Sequence, residues 1–235
     1  MSYENLRPSL GRLMRRIEAL GALGGTPEGG VRRLALTDDD KIGRDQVLAW
    51  MREAGLSVHI DGIGNVIGLR EGQSDLPPVM TGSHIDTVYN GGKLDGNLGV
   101  LAGLEVLETL NDAKIETERP LAVAFFTNEE GARFQPDMMG SLVYAGGLSL
   151  EDALATMDDK GAVLGRELEK IGYAGDMTPG MIRPHAFVEL HIEQGPLLEE
   201  ESVTLGAVEN LQGISWTEVI FTGQANHAGT TPLHL

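Results

Sequence analysis

Apolar residues at helical spacing open the chain, where Leu6, Leu10, Leu13, Ile17 and Leu20 predict an amphipathic helix. A glycine-rich loop over 21–30 follows. Thr37 before Asp38, Asp39 and Asp40 then reads as a helix N-cap with an acidic first turn. That second helix carries Ile42, Val47, Leu48 and Met51 and stops at Gly55, a residue suited to a left-handed C-terminal cap. Residues 56–60 and 65–69, joined through Asp61-Gly62, predict a hairpin.

Three later segments share one design: a short apolar run of buried-strand length that ends in ionisable residues near a glycine. Pro78-Val79-Met80-Thr81-Gly82 leads into Ser83-His84-Ile85-Asp86. Leu121-Ala122-Val123-Ala124-Phe125-Phe126-Thr127 leads into Asn128-Glu129-Glu130-Gly131. Ala186-Phe187-Val188-Glu189-Leu190 leads into His191-Ile192-Glu193-Gln194-Gly195. Residues 98–110, with Leu101, Leu104, Val106, Leu107 and Leu110, predict a helix packed on a sheet. Strand–helix–strand alternation predicts an α/β fold, whose ligand sites lie beyond the carboxyl ends of the strands. All three polar clusters fall there. Residues 149–183 read as short helices and loops on the periphery, and 214–221 as a half-buried strand that opens a second domain.

Composition narrows the chemistry. Lys and Arg number 18 against 35 Asp and Glu, a net charge of −17. So acidic a surface repels phosphate, so neither nucleic acid nor an anionic membrane is an expected partner. The first twenty residues, interrupted by Pro8, Gly11 and several arginines, contain no apolar signal core, and a cytoplasmic setting is expected. With no cysteine in the 235 residues, any metal must be bound by histidine and carboxylate.

Taken singly, the candidates are weak. His84 two residues before Asp86 is a common pairing, Asp95 in Gly92-Lys93-Leu94-Asp95-Gly96 fits an ordinary turn, and His191 fits a satisfied core histidine. Glu129-Glu130 is harder to dismiss, because adjacent carboxylates after an apolar strand repel unless one meets a cation or shares a proton. Together, His84, Asp95, Glu130 and His191 form a nitrogen and oxygen donor set suited to Zn²⁺, Mn²⁺, Co²⁺ or Ni²⁺. Glu129 would then be the base beside it.

The series Gly82-Ser83-His84-Ile85-Asp86-Thr87-Val88, Gly91-Gly92-Lys93-Leu94-Asp95-Gly96, Thr127-Asn128-Glu129-Glu130-Gly131 with Arg133-Phe134, and Glu189-Leu190-His191-Ile192-Glu193-Gln194-Gly195-Pro196 resembles a family of dinuclear-metal amidohydrolases. That family contains N-carbamoyl-L-amino-acid hydrolases, β-ureidopropionases and allantoate amidohydrolases, and is related to metallo-aminopeptidases and deacylases. The resemblance implies a mixed sheet flanked by helices, with two divalent ions at the strand ends and a smaller α+β lid and dimerisation domain. His84 and His191 would bind one ion, Asp95 would bridge, Glu130 would bind the second, Glu129 would be the general base, and Asp86 would orient His84. Gln194 would contact substrate. In Gly223-Gln224-Ala225-Asn226-His227-Ala228-Gly229, His227 would polarise the scissile carbonyl, in many members from the partner of a homodimer.

The implied reaction is hydrolysis of a linear ureido group, with an N-carbamoyl-L-amino acid as the first-choice small-molecule substrate and allantoate or β-ureidopropionate as alternatives. Residues 1–212 would then be the first part of the catalytic domain and 213–235 the start of the lid. Family chains run on to a further metal-binding histidine and to carboxylate-binding arginine and asparagine residues. The sequence therefore reads as cut inside the lid, and a non-catalytic metal-binding fragment is the competing expectation. His59, His185 and His234 match no family role.

Overall fold

A computed structural model of the chain describes residues 5–213, 215, 217 and 219–234. They divide into two compact units, Met1–Ile192 and Glu193–Leu235.

The first unit opens with α1 (Leu10–Ala22), started by Ser9, whose side chain accepts the Arg12 N–H. Ile17 and Leu20 are buried, whereas Leu10 lies on the exposed side. α2 (Asp38–Glu53) begins as the sequence predicts: Thr37 Oγ1 accepts the Asp40 N–H, and the three aspartates fill the positive first turn. Val47, Leu48 and Met51 face the core, while Ile42 is exposed.

β1 (Ser57–Ile60) and β2 (Val66–Arg70) form the antiparallel hairpin. β3 (Val79–His84), α3 (Asn97–Asp112) and β4 (Leu121–Phe126) form a parallel crossover. β5 (Ala186–Val188) pairs parallel with the outer side of β3, giving the order β1-β2-β4-β3-β5. The sheet is therefore mixed and flanked by helices. Leu101, Leu104, Leu107 and Leu110 of α3 are buried against it; Val106, read as a packing residue, is 46% exposed. Arg12 and Arg16 strap α1 to α3 through Glu105 and Glu108.

Two expectations need correction. β5 is not buried: it is a three-residue edge strand paired on one side only, and Phe187 and Val188 are 41% and 62% exposed. Residues 149–183 do contain short helices, α5 (Leu150–Ala155) and α6 (Leu164–Ile171) after α4 (Met139–Tyr144), but they are not merely peripheral. Leu164, Leu168 and Ile171 share one face at helical spacing, and with Tyr173 they belong to the main core. Each such buried side chain contributes about 1.5–3 kcal/mol.

Among its described residues the second unit carries one short helix, α7 (Leu197–Glu200), whose first amides are accepted by the Glu193 carboxylate. The strand expected over 214–221 falls partly on Ile214, Trp216 and Glu218, outside the described residues; 215, 217 and 219–221 lie in no strand. Among the described residues, no helix is long and apolar enough to cross a membrane.

Candidate metal centre

Because β3, β4 and β5 are mutually parallel around β3, their carboxyl ends open on the same edge. His84 is the last residue of β3, Asn128-Glu129-Glu130 follow β4, and His191 follows β5. This placement, rather than any local motif, joins residues far apart in sequence.

One ligand atom from each of His84, Asp95 and His191 lies within 4.8 Å of the others. His84 Nε2 is 3.8 Å and His191 Nε2 3.4 Å from the same Asp95 Oδ1. Each ring donates its Nδ1–H to a backbone carbonyl, His84 to Asp86 at 3.0 Å and His191 to Ile192 at 2.8 Å. Both imidazoles thus turn the Nε2 lone pair toward Asp95, the tautomer that a metal ligand needs. Glu129 Oε2 stands 3.3 Å from His84 Nε2. Glu130 Oε1 is buried and accepts no hydrogen bond from the described residues, which is costly unless a cation or a proton meets it. The donor set therefore fits a divalent ion.

The turns around these groups are built for close approach. Asp95-Gly96-Asn97 closes on itself, with the Asn97 N–H donating to the Asp95 carbonyl at 2.5 Å and Gly96 at φ 62°, ψ −50°. These values define a γ-turn of positive φ, and the glycine there packs directly on the His84 ring. Asn128 is left-handed at φ 53°; its side-chain amide donates to the Phe134 and Pro136 carbonyls and so fixes the acidic turn. Asn65 braces the other side by accepting the Thr127 N–H.

Asp86 has a wider role than the sequence implies. Its carbonyl makes the hydrogen bond to His84, while its fully buried carboxylate, 3.9 Å from Nδ1, accepts the N–H groups of Glu129 and Glu130 at 3.2 and 3.3 Å. It thereby ties the end of β3 to the turn after β4. Asn65, Asn97 and Asn128 escaped the sequence reading; Asn97 and Asn128 show only as short amides in turns that carry candidate ligands, and Asn65, at the hairpin turn, lacks even that signal.

Electrostatics follow from crowding. Burial raises the Asp86 pKa, with Asp40 adding to it and His84 opposing. Burial also raises Glu129, opposed by His84 and reinforced by Asp86, Asp95 and Glu189. Glu130 is pushed up to about 7 by burial, against the pull of His84 and with Asp95, Asp86 and Glu129 adding repulsion. Burial disfavours charge on His84, yet Asp86, Glu129 and Glu130 outweigh it and lift its pKa. Carboxylates whose pKa is raised by burial and mutual repulsion form a site short of positive charge.

The two remaining candidates belong to the second unit. Gln194 has φ 55°, and exposed His227 accepts the Gly229 N–H at Nδ1.

The profile of peptidase family M20/M25/M40 matches residues 80–231. The N-carbamoyl-L-amino-acid amidohydrolase of Rhizobium meliloti is 45% identical over 233 residues, 99% of this chain and 56% of the relative. That of Geobacillus stearothermophilus is 45% identical over 229 residues, 95% of this chain and 56% of the relative. A hydantoinase/carbamoylase family amidase from Burkholderia ambifaria superposes with a TM-score of 0.82 at 50% identity, covering 84% of this chain and 49% of that one. The chain thus spans about half the length of the relatives that it matches. With the profile covering the strand ends and every candidate ligand, the chain belongs to peptidase family M20/M25/M40.

Proposed function

We propose that this chain provides the metal-binding half of an amidohydrolase that cleaves a linear ureido C–N bond, converting an N-carbamoyl-L-amino acid to the L-amino acid, CO₂ and NH₃. The observation that carries the reading is the convergence of His84, Asp95 and His191 within 4.8 Å, with Glu129 alongside. The amidohydrolases to which the chain is 45% identical support the substrate class.

In this reading His84 and His191 would hold one divalent ion, Glu130 would hold a second, and Asp95 would serve both. Zn²⁺, Mn²⁺, Co²⁺ and Ni²⁺ all suit such donors. Bound ions of this kind lower the pKa of water and polarise a carbonyl. Glu129, its pKa raised by burial, takes a proton from the attacking water and later delivers it to the leaving nitrogen. Asp86 holds the Glu129 and Glu130 amides in place and fixes the His84 tautomer through its carbonyl. Gln194 contacts the substrate, and His227 polarises the scissile carbonyl from the lid of a homodimer. One water is consumed: cleavage yields the amino acid and carbamic acid, which falls to CO₂ and NH₃. Residues 1–212 serve as the catalytic part and 213–235 open the lid.

A panel of N-carbamoyl-L-amino acids, β-ureidopropionate and allantoate, run with each of the four metals beside a measurement of bound metal, tests the proposal. Two ions per chain with turnover on a carbamoyl amino acid is expected. Tight metal binding without turnover on any of the three classes would favour a fragment that binds metal but does not catalyse.

A further inference from the structure

Arg33 is fully buried, and among the described residues it makes no salt bridge. That is unusual for a buried guanidinium, which normally faces a carboxylate, as the equally buried Arg44 faces Asp40 at 2.7 Å. Arg33 instead spends its donors on neutral oxygens. Nε donates to the Ile85 carbonyl at 2.7 Å, Nη1 to the Leu20 and Leu23 carbonyls at 2.8 and 2.7 Å, and Nη2 to Asn97 Oδ1 at 2.9 Å. Its backbone N–H donates to Thr87 Oγ1 and its carbonyl accepts the Thr87 N–H.

These acceptors are a specific set. Ile85 lies between His84 and Asp86. Asn97 closes the γ-turn at Asp95, and its own Nδ2–H donates to the Lys93 carbonyl at 3.1 Å, clamping the turn from both ends. The Leu20 carbonyl lies in the last turn of α1 and the Leu23 carbonyl at its C-cap, the end where the helix dipole favours a cation. One rigid, planar group thus fixes the turn after β3 relative to the turn before α3, and references both to α1. Because it engages only neutral oxygens, it does so without occupying any carboxylate of the site.

We propose that Arg33 is the positioning residue of the metal centre, setting the separation of His84 from Asp95 by bridging Ile85 O and Asn97 Oδ1. The inference rests on the metal reading above. A lysine retains the charge but cannot reproduce four divergent in-plane bonds.

The test compares Arg33→Lys, Asn97→Ser and the core variant Val47→Ala with the unmodified protein. Co²⁺ affinity and visible absorption are read alongside the urea midpoint at one temperature. Arg33→Lys is expected to weaken Co²⁺ binding at least about tenfold and to alter the absorption band, as expected for a support behind the ligands. Asn97→Ser withdraws the Oδ1 acceptor and the Nδ2–H bond to the Lys93 carbonyl but spares the other three guanidinium bonds; it should move both readouts in the same direction by a smaller factor, deciding the matter if Arg33→Lys does not fold. Val47→Ala should lower the midpoint and leave Co²⁺ affinity unchanged. Affinities within twofold of the unmodified protein in both site variants overturn the inference, as does an equal loss of affinity in Val47→Ala. Failure of the unmodified protein to bind Co²⁺ overturns the metal reading itself, and this inference with it.

Discussion

Adding one methyl group at Gly96 perturbs the candidate centre without removing any of its chemistry. The residue sits at φ 62°, ψ −50°, a γ-turn geometry that L-residues rarely adopt. Holding alanine there costs on the order of 1–3 kcal/mol. The new Cβ would also stand 2.5 Å from the His84 carbonyl oxygen and 2.6 Å from both Cδ2 and Cε1 of its ring. The carbonyl belongs to the end of β3 and cannot yield cheaply. The ring can yield only by rotating away from the Asp86 carbonyl that orients it at 3.0 Å. Strain therefore falls on folding, and displacement falls on the candidate ligand. Gly96→Ala should lower the stability of the metal-stripped protein by about 1–3 kcal/mol in urea denaturation. It should also weaken Zn²⁺ or Co²⁺ binding by roughly 10–100-fold in a chelator competition, the range for disturbed support of a ligating histidine. Gly92→Ala, in the same loop with no atom within 4 Å of the added Cβ, is the control and should change neither. A Gly96→Ala protein within about 0.5 kcal/mol and twofold of the unmodified values would refute the packing of Gly96 on His84 as the reason for glycine there.

Three further outcomes are expected. Glu129→Gln should retain metal and lose roughly 10²-fold or more of the turnover on N-carbamoyl-L-amino acids; full turnover at equal metal content would remove Glu129 from the role of base. In the metal-stripped protein, Glu130 is raised from its ordinary 4.5 to about 7, so its contribution to stability is fully present below pH 4.5 and is lost as the pH rises toward 7. For a half-buried group, solvent screening limits that contribution to about 1–2 kcal/mol. Urea midpoints should therefore fall more between pH 4.5 and 7.5 in the unmodified apoprotein than in Glu130→Gln, and parallel curves would contradict the shift. Leu168→Ala should cost about 2–5 kcal/mol by opening a cavity in the main core, whereas a loss below about 1 kcal/mol would return α6 to the periphery.

Much of the fold was legible because its signals are local. Thr37 before three aspartates announces α2, and two apolar runs separated by Asp61-Gly62 announce the hairpin. The three runs that end in ionisable residues announce β3, β4 and β5, and the general rule that ligands bind at strand ends then places His84, Glu129, Glu130 and His191 together. Ile42 and Val106 misled because periodicity gives the axis of an apolar face but not its width; each lies just beyond the covered stripe. The stretch 149–183 misled for the opposite reason. Its polar residues dominate the composition, while Leu164, Leu168 and Ile171 alone decide the packing.

The bracing of the site was not legible, and the reason is physical. A ligand must be a histidine or a carboxylate, so the metal chemistry restricts residue type and leaves a mark in the sequence. The groups that aim the ligands are mostly backbone. Asp86 accepts amides 43 and 44 positions downstream, and Arg33 donates to three carbonyls, two at the end of α1 and one just after β3. Every residue but proline offers the same N–H and C=O, so such contacts put no requirement on the identity of the partner. A constraint remains only on the donor or acceptor that must be buried: a buried charge in a mainly apolar run, as Arg33 is, beside the exposed Arg32, between Val31 and Leu34-Ala35-Leu36. In this chain a charge that interrupts a buried segment is therefore a better pointer to the scaffolding of the site than any spacing between polar residues.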